Sequence, residues 1–491
     1  MKFNHSRLWQ RLLAVAVGTI FLMAFTYVGL AQDDTGTDEA AAVEEVVAEE
    51  AAVEEVLTAE TVQTNLNQIW LLVAAFMVFF MQAGFAMVEG GFIRSKGVVN
   101  SMAENFIDAS ITGIVFFIVG YGIAYASTDG SLFFGTPQIA LGGIDGTGAE
   151  DGFAMIDFFF QFAFAGAAAT IATGAMAERT DFRGKIIYTV IVGVLIYPIV
   201  VFWTWGGGFL ADRGFLDFAG STVVHQTGGI IALVGAMIVG PRVGRVFGQP
   251  PAASNLMMAT LGTFVLWFGW YGFNVGSTLE ATNPNALGLV AINTTLAGAA
   301  GSIGAMLFAY FTKGGKWDLG FILNGALGGL VGITAGCAFV SPVASIIIGL
   351  TAGVVVVLAV GAVEAAKIDD AVGAFAVHGA CGMLGSLAIG FWGLPALTGT
   401  AGGLFLGGGV DLLLTQFIGV AVVAVWATVS STVMFSAINA LGLLRMPAAA
   451  DAVGIDVYEH GATCMPDLLP MPGEGVVTGT DSRTSAPAVG D

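Results

Sequence analysis

The chain has 491 residues, 56% of them hydrophobic and only 11% charged, with a mean hydropathy of +0.84. Soluble globular proteins carry about 25% charged residues, so the composition speaks against a water-soluble enzyme. A formal net charge of -20 speaks against nucleic acid, and three scattered cysteines (Cys337, Cys381, Cys464) are too few for a disulfide framework or a zinc site.

Residues 1–31 read as a secretory signal: Lys2, Arg7 and Arg11 precede an apolar stretch from Leu12 to Tyr27, and Gly29-Leu-Ala31 is a small-x-small cleavage site. An uncleaved signal anchor is the alternative, and both readings export residues 32–62. That segment holds eleven acidic residues and no basic one, which supplies -11 of the -20. Like-charge blocks repel, so it reads as a solvated, partly helical tether on the outer side. A cation-attracting fringe at a pore mouth is the functional alternative.

From residue 63 to 440 the sequence reads as a membrane domain. Apolar stretches long enough to cross a bilayer, with at most one acidic residue each, are expected near 67–88, 107–127, 157–177, 187–208, 218–239, 255–277, 287–311, 319–340, 342–362, 371–393 and 411–438. Glycine, at 71 residues, is about double its usual share, as suits helices whose backbones approach closely. That makes eleven spans, an all-α polytopic fold of the cell (inner) membrane, with residues 441–491 as a cytoplasmic tail. With the mature N-terminus outside, twelve basic residues fall inside: Arg94, Lys96, Arg179, Arg183, Lys185, Arg242, Arg245, Lys313, Lys316, Lys367, Arg445 and Arg483. Only Arg213 falls outside. This positive-inside bias sets an N-out, C-in topology.

Of four histidines, two stand in matching contexts inside apolar spans: Asp217-Phe-Ala-Gly-Ser-Thr-Val-Val-His225 and Asp370-Ala-Val-Gly-Ala-Phe-Ala-Val-His378. Gly220/Gly373, Val224/Val377 and Gly229/Gly382 also correspond. Five spans per half, with a last helix added, make this an inverted repeat, and such repeats place transporter sites at the interface of the halves. A lone apolar-helix histidine is usually a packing residue, but a matched pair points to a pathway. Neutral imidazole both donates and accepts, so two of them can bond each other and still serve a small polar solute. No carboxylate or thiol joins them at ligand spacing, so neither a metal nor a cofactor is expected.

Several stretches resemble the ammonium transporter family (Amt/MEP/Rh), in its bacterial Amt-type form. They are Gln161-Phe-Ala-Phe-Ala165, Ala177-Glu-Arg179, Trp205-Gly-Gly-Gly208, Asp217-Phe-Ala-Gly with Val224-His225, Phe268-Gly-Trp270-Tyr-Gly-Phe273-Asn-Val-Gly-Ser277, Asn324-Gly-Ala-Leu-Gly-Gly, and His378-Gly-Ala-Cys-Gly382. The family often has Asp-Asp-Pro where this chain has Asp369-Asp370-Ala371. The resemblance implies ammonium or ammonia as substrate and a homotrimer with one pore per subunit. It also implies an outer recruitment site of Trp205, Phe164 and Ser277, a gate of Phe164 and Phe273 with Trp270 beside it, and a pore lined by His225 and His378. Asp217 reads either as a helix N-cap or as a direct electrostatic aid to a cation. A PII-type nitrogen regulatory protein is the partner implied for the inner loops and tail.

Two rival functions remain: an ammonium sensor with a cytoplasmic output, and a Rh-type gas channel for NH3 and CO2. About 50 residues after the last span are too few for a signalling enzyme domain, and Rh-like pores usually lack the outer Trp site. No nucleophile–base pair or metal cluster suggests an enzyme.

Overall fold

The structure, a computed structural model, describes residues 58–464 apart from 129–130, 132, 145 and 149–150. The expected signal, nearly all of the acidic segment, and the tail beyond 464 lie outside the described residues.

Ten helices are long and apolar enough to cross a membrane. In chain order they are α1 (Ala59–Phe92), α2 (Ser95–Ala124), α3 (Asp151–Met176), α4 (Phe182–Asp212), α5 (Ser221–Val239), α6 (Leu256–Thr278), α7 (Pro284–Thr312), α9 (Pro342–Ala365), α10 (Phe375–Trp392) and α11 (Asp411–Ala440), with the shorter apolar α8 (Leu319–Thr334) between α7 and α9. The ten fall on ten of the eleven expected spans. The expected span 319–340 is instead a helix of 16 residues, after which the chain turns before Ser341 caps α9. α1 begins inside the expected acidic segment because the Thr58 hydroxyl accepts the Thr61 N–H, at 3.1 Å, and so starts the helix. Two short helices, α12 (Ala448–Val453) and α13 (Ile455–His460), come after α11.

Small residues let the helices touch through their backbones. A Cβ on Gly301 of α7 would overlap the Gly325 carbonyl of α8, and one on Gly353 of α9 would overlap the Gly301 carbonyl. Close approach of this kind is how helices associate where lipid supplies no hydrophobic drive.

α5 and α10 cross in the same way, and their contacts are reciprocal. A Cβ on Gly229 would overlap the backbone of Gly379, while one on Gly382 would stand 2.8 Å from the Gln226 nitrogen. Gly229 matches Gly382, and Gln226 matches Gly379, at the constant offset that also relates His225 to His378. Reciprocity of this kind is the mark of a two-fold axis between two copies of one patch.

The N-termini of both helices are built alike. The Asp217 carboxylate accepts the backbone N–H of Gly220, Ser221, Thr222 and Val223 at 2.8–2.9 Å. Asp370 accepts those of Gly373, Ala374 and Phe375 at 2.8–3.0 Å. Gly220 (φ 110°) and Gly373 (φ 80°) hold left-handed backbone that L side chains resist. Each helix then opens with one wide π turn, Ser221–Gln226 and Phe375–Ala380, that contains the histidine.

The basic residues used to set orientation are not all loop residues. Lys185 lies within α4, wholly buried, with its ammonium on Asp108 at 2.5 Å. Arg179 is also wholly buried and donates to the carbonyls of Gly240 (2.8 Å), Ala177 (3.0 Å) and Asp369. Both are internal struts and neither marks a wetted surface. Nearby, Arg242 bonds Asp369 (2.8 Å) and Glu178, Arg94 also bonds Glu178, and Arg245 joins Asp369 (3.1 Å) to Glu364 (2.6 Å). Burial alone would raise the Asp369 carboxyl, but the Arg242 hydrogen bonds and the charges of Arg179 and Arg242 hold it well below the usual carboxylate range. The chain after α11 docks on this side: Met446 N–H donates to the Arg179 carbonyl at 3.0 Å, and Asp456 accepts the N–H of Val99 (3.0 Å) and Asn100 (2.8 Å).

Candidate functional site

The residues singled out in the sequence converge on one row of rings through the bundle. Trp205 stands just after the last turn before the Gly206–Gly208 bend, half-buried, and its indole N–H donates to the Asp217 carbonyl at 2.8 Å. That bond fixes the indole plane and occupies its one donor. Phe164 of α3 meets Trp205 edge-on, with centroids 6.2 Å apart. On its other side Phe164 stacks on Phe273 of α6 at 4.0 Å and 26°. Phe273 in turn lies 5.2 Å from the His225 ring.

Trp270, one turn before Phe273, stacks on His225 at 5.1 Å and 19°, and its indole N–H donates to Thr334 Oγ1 at 2.9 Å. The short α8 therefore reaches the centre of the molecule and sets the Trp270 plane. Ser277 stands half-buried one turn beyond Phe273, its hydroxyl donating to the Phe273 carbonyl at 2.8 Å. With its proton spent, that hydroxyl can only accept from a newcomer.

His225 and His378 meet nitrogen to nitrogen, Nδ1 to Nδ1, at 3.2 Å, with rings 5.2 Å apart. One must donate and the other accept. In neutral rings the donor's Nε2 is then an acceptor and the acceptor's Nε2 carries hydrogen, so the pair presents one of each. His225 is wholly buried and its Nε2 has no hydrogen-bond partner among the described residues. His378 is the exposed member, at 6%, and borders a cavity of about 40 Å³ with Phe85, Glu89, Asn324 and Val372. Asp217 does not face this row: its two oxygens are taken up by four backbone N–H groups.

The profile of the Ammonium Transporter Family matches residues 69–465. The chain belongs to that family. Among its relatives, a putative ammonium transporter of Synechocystis sp. is 38% identical over 455 residues, covering 90% of this chain and 94% of its own. The ammonium transporter Amt2 of Archaeoglobus fulgidus is also 38% identical, with coverage of 84% and 91%. Of solved structures, one titled Sensor Amt Protein superposes with a TM-score of 0.76 at 36% identity, covering 82% of this chain and 100% of that one. Candida albicans Mep2 gives a TM-score of 0.72 at 28% identity, covering 78% and 86%. This ammonium transporter family member is thus a multi-pass membrane protein, and the Synechocystis and Archaeoglobus relatives are named as ammonium transporters, the first as a putative one.

Sequence reading missed Phe85, whose ring lies 5.9 Å from His378, and the buried polar side chains behind the cavity. Phe85 is one of 37 phenylalanines and carries no motif. Glu89, Glu104 and Asp108 could have been found, because carboxyl groups flanking or interrupting apolar stretches are themselves a signal.

Proposed function

We propose that the chain conducts ammonium or ammonia across the cell membrane along the row from Trp205 to His378. The observation that carries this reading is the uninterrupted sequence of ring contacts, Trp205–Phe164–Phe273–His225–His378, which ends at a cavity. Trp205, Phe164 and Ser277 recruit the cation: aromatic faces attract it and the hydroxyl accepts an N–H. Asp217 contributes only through the helix cap and its fixed charge.

Phe164 and Phe273 are in van der Waals contact, so passage needs one ring to move aside; they act as the gate, steadied by Trp270. Beyond them the walls are apolar. A bare cation at mid-membrane costs a few kcal/mol or more, which favours uncharged ammonia in this stretch. The donor and acceptor offered by His225 and His378 then replace the hydrogen bonds ammonia leaves behind. The proton that ammonium sheds enters at the accepting Nε2, crosses between the two Nδ1 atoms and leaves from the other Nε2 to rejoin ammonia, so that net charge crosses.

The same reading takes the molecule as eleven spans in N-out, C-in orientation, assembled as a homotrimer, with a PII-type regulator as partner of the inner loops and tail. A sensor role shares the site, and a protein titled as a sensor shares the fold. Liposomes holding only this protein separate the two. Ammonium should drive a current, methylammonium a smaller one and potassium none; no flux of any of them would leave sensing as the function.

A further inference from the structure

The cavity beneath His378 has a charged wall that the ring row does not use. α1 carries Phe85 and Glu89 one turn apart, so both stand on one face. Phe85 packs on His378 and both line the cavity with Glu89, which is 4% exposed.

The partners of Glu89 fix its position. Ser101 Oγ donates to Oε1 at 2.8 Å, and Asn105 Nδ2 donates to Oε2 at 3.1 Å, so both oxygens are held at the cavity edge. The ionised form of a carboxyl group buried in this way is costly unless a counter-charge meets it.

Among the described residues no counter-charge bonds Glu89 directly. The charged groups acting on Glu89 are Lys185 and Asp108, with Glu104 beside them. Lys185 is already engaged, by Asp108 at 2.5 Å and by Thr173 Oγ1 at 2.5 Å. Asp108 also accepts from Thr189 (2.7 Å), Thr173 (3.0 Å) and Thr170 (3.2 Å). The pair is closed on itself, and Glu89 holds no ion pair among the described residues. One ammonium group thus stands against three buried carboxyl groups, and the one that borders the cavity is unmatched.

We propose that Glu89 is a cation site at the inner end of the pathway, taking ammonium itself as its counter-ion. The cavity of about 40 Å³ suits a few water-sized molecules. Ammonium is that size, and its N–H groups fit a carboxylate that already accepts from Ser101 and Asn105. Asn324 brings an amide to the same wall. The apolar sides, Val88, Ile171 and Leu266, keep the local dielectric low and strengthen the attraction. The Ser101–Asn105–Thr170 chain holds the carboxylate at the cavity edge. This site rests on the proposed transport function and deepens it: entry uses rings, exit uses charge.

The test compares the two faces in membrane vesicles of defined orientation, with unmutated protein, E89Q and E89D. In E89Q the half-saturating ammonium concentration at the inner face should rise about tenfold, the difference between a charge-assisted and a neutral hydrogen bond. The outer value should stay unchanged, and E89D should recover most of the inner affinity. A folded E89Q with an unchanged inner value, or with equal shifts on both faces, overturns the site. Absence of flux in the unmutated protein would instead overturn the transport function. If E89Q does not fold, crystals of the unmutated protein in a thallous salt decide. Anomalous density beside Glu89, displaced by added ammonium, supports the site, and an empty cavity overturns it.

Discussion

Removing His225 tests the centre of the pathway. Its ring lies between Trp270 and Phe273, 5.1 and 5.2 Å away, and its Nε2 meets no partner among the described residues. His225→Ala removes both of its nitrogens at the most enclosed point and leaves the Trp270 and Phe273 faces with the freed Nδ1 of His378. An ammonia molecule there would have at least one hydrogen-bonding group unmet, a cost of about 1–3 kcal/mol. That slows passage about five- to 150-fold. His378→Ala should cost less, because His378 borders the cavity and water can take its place. Water there would also weaken discrimination against potassium. The double Ala variant should lose selective ammonium current altogether. The assay is current in proteoliposomes driven by ammonium or potassium gradients, with size-exclusion chromatography to establish that each variant assembles as the unmutated protein does. A double variant with unmutated current and selectivity would refute the reasoning and leave the histidines as packing residues.

Trp205→Leu should raise the half-saturating ammonium concentration about two- to 30-fold, because a cation–π contact of about 0.5–2 kcal/mol is lost; unchanged concentration dependence of flux would mean the entry site lies elsewhere. Lys185→Met should destabilise the fold by about 3–5 kcal/mol by leaving the Asp108 charge buried and unmatched. Adding Asp108→Asn should restore part of that loss in denaturation measurements, and strict additivity of the two would argue against the pair. Asp369→Asn should lower the melting temperature at pH 7. Because the folded carboxyl is held below its usual range, its contribution is full above about pH 4 and fades as pH falls further. The melting difference between variant and unmutated protein should therefore shrink in acid, and a difference independent of pH would contradict the linkage.

Most of the helical frame was legible because apolar windows of sufficient length have one physical meaning. The histidine pair was legible for a different reason: His follows Asp at the eighth position in both copies, and chance does not repeat such a context. The ring row was legible only through resemblance, since nothing in composition separates Phe164 or Phe273 from other phenylalanines. The buried polar cluster was hidden by the same rule that found the helices. The first expected span ends at 88, before Glu89, the second begins at 107, after Glu104, and the fourth begins at 187, after Lys185, with Asp108 as the one charged residue inside the second. The helices run through Glu89, Glu104 and Lys185. Charge that is neutralised inside the protein carries no penalty against lipid, and a hydropathy window has no means of seeing the partner. The shortness of α8 was hidden too, because residues 335–340 are as apolar as the helix before them.

The repeat explains the centre of the molecule and leaves its ends unexplained, and that division decides what each side offers a solute. A carboxylate that grips three or four N–H groups, a left-handed glycine and one wide turn set each histidine at the same height on its helix. Two such helices crossing at Gly229 and Gly382 must bring the histidines together, so the pair arises from the repeat and needs no further tuning. Symmetry of this kind offers an imidazole Nε2 from either side, a donor on one and an acceptor on the other. Asymmetry enters only beyond the axis. On one side stand Trp205, Phe164 and Phe273, the proposed recruitment site and gate, whose faces can attract a cation weakly. On the other, Phe85 is followed after one turn by Glu89, the proposed cation site, and a carboxylate there would hold a cation more firmly than an aromatic face does. A solute that is charged in water and neutral at the centre must shed a proton at one end and regain one at the other. On the proposed reading the rings hold ammonium where it sheds its proton, the histidine pair passes that proton on, and the carboxylate holds the ammonium that forms again beyond it.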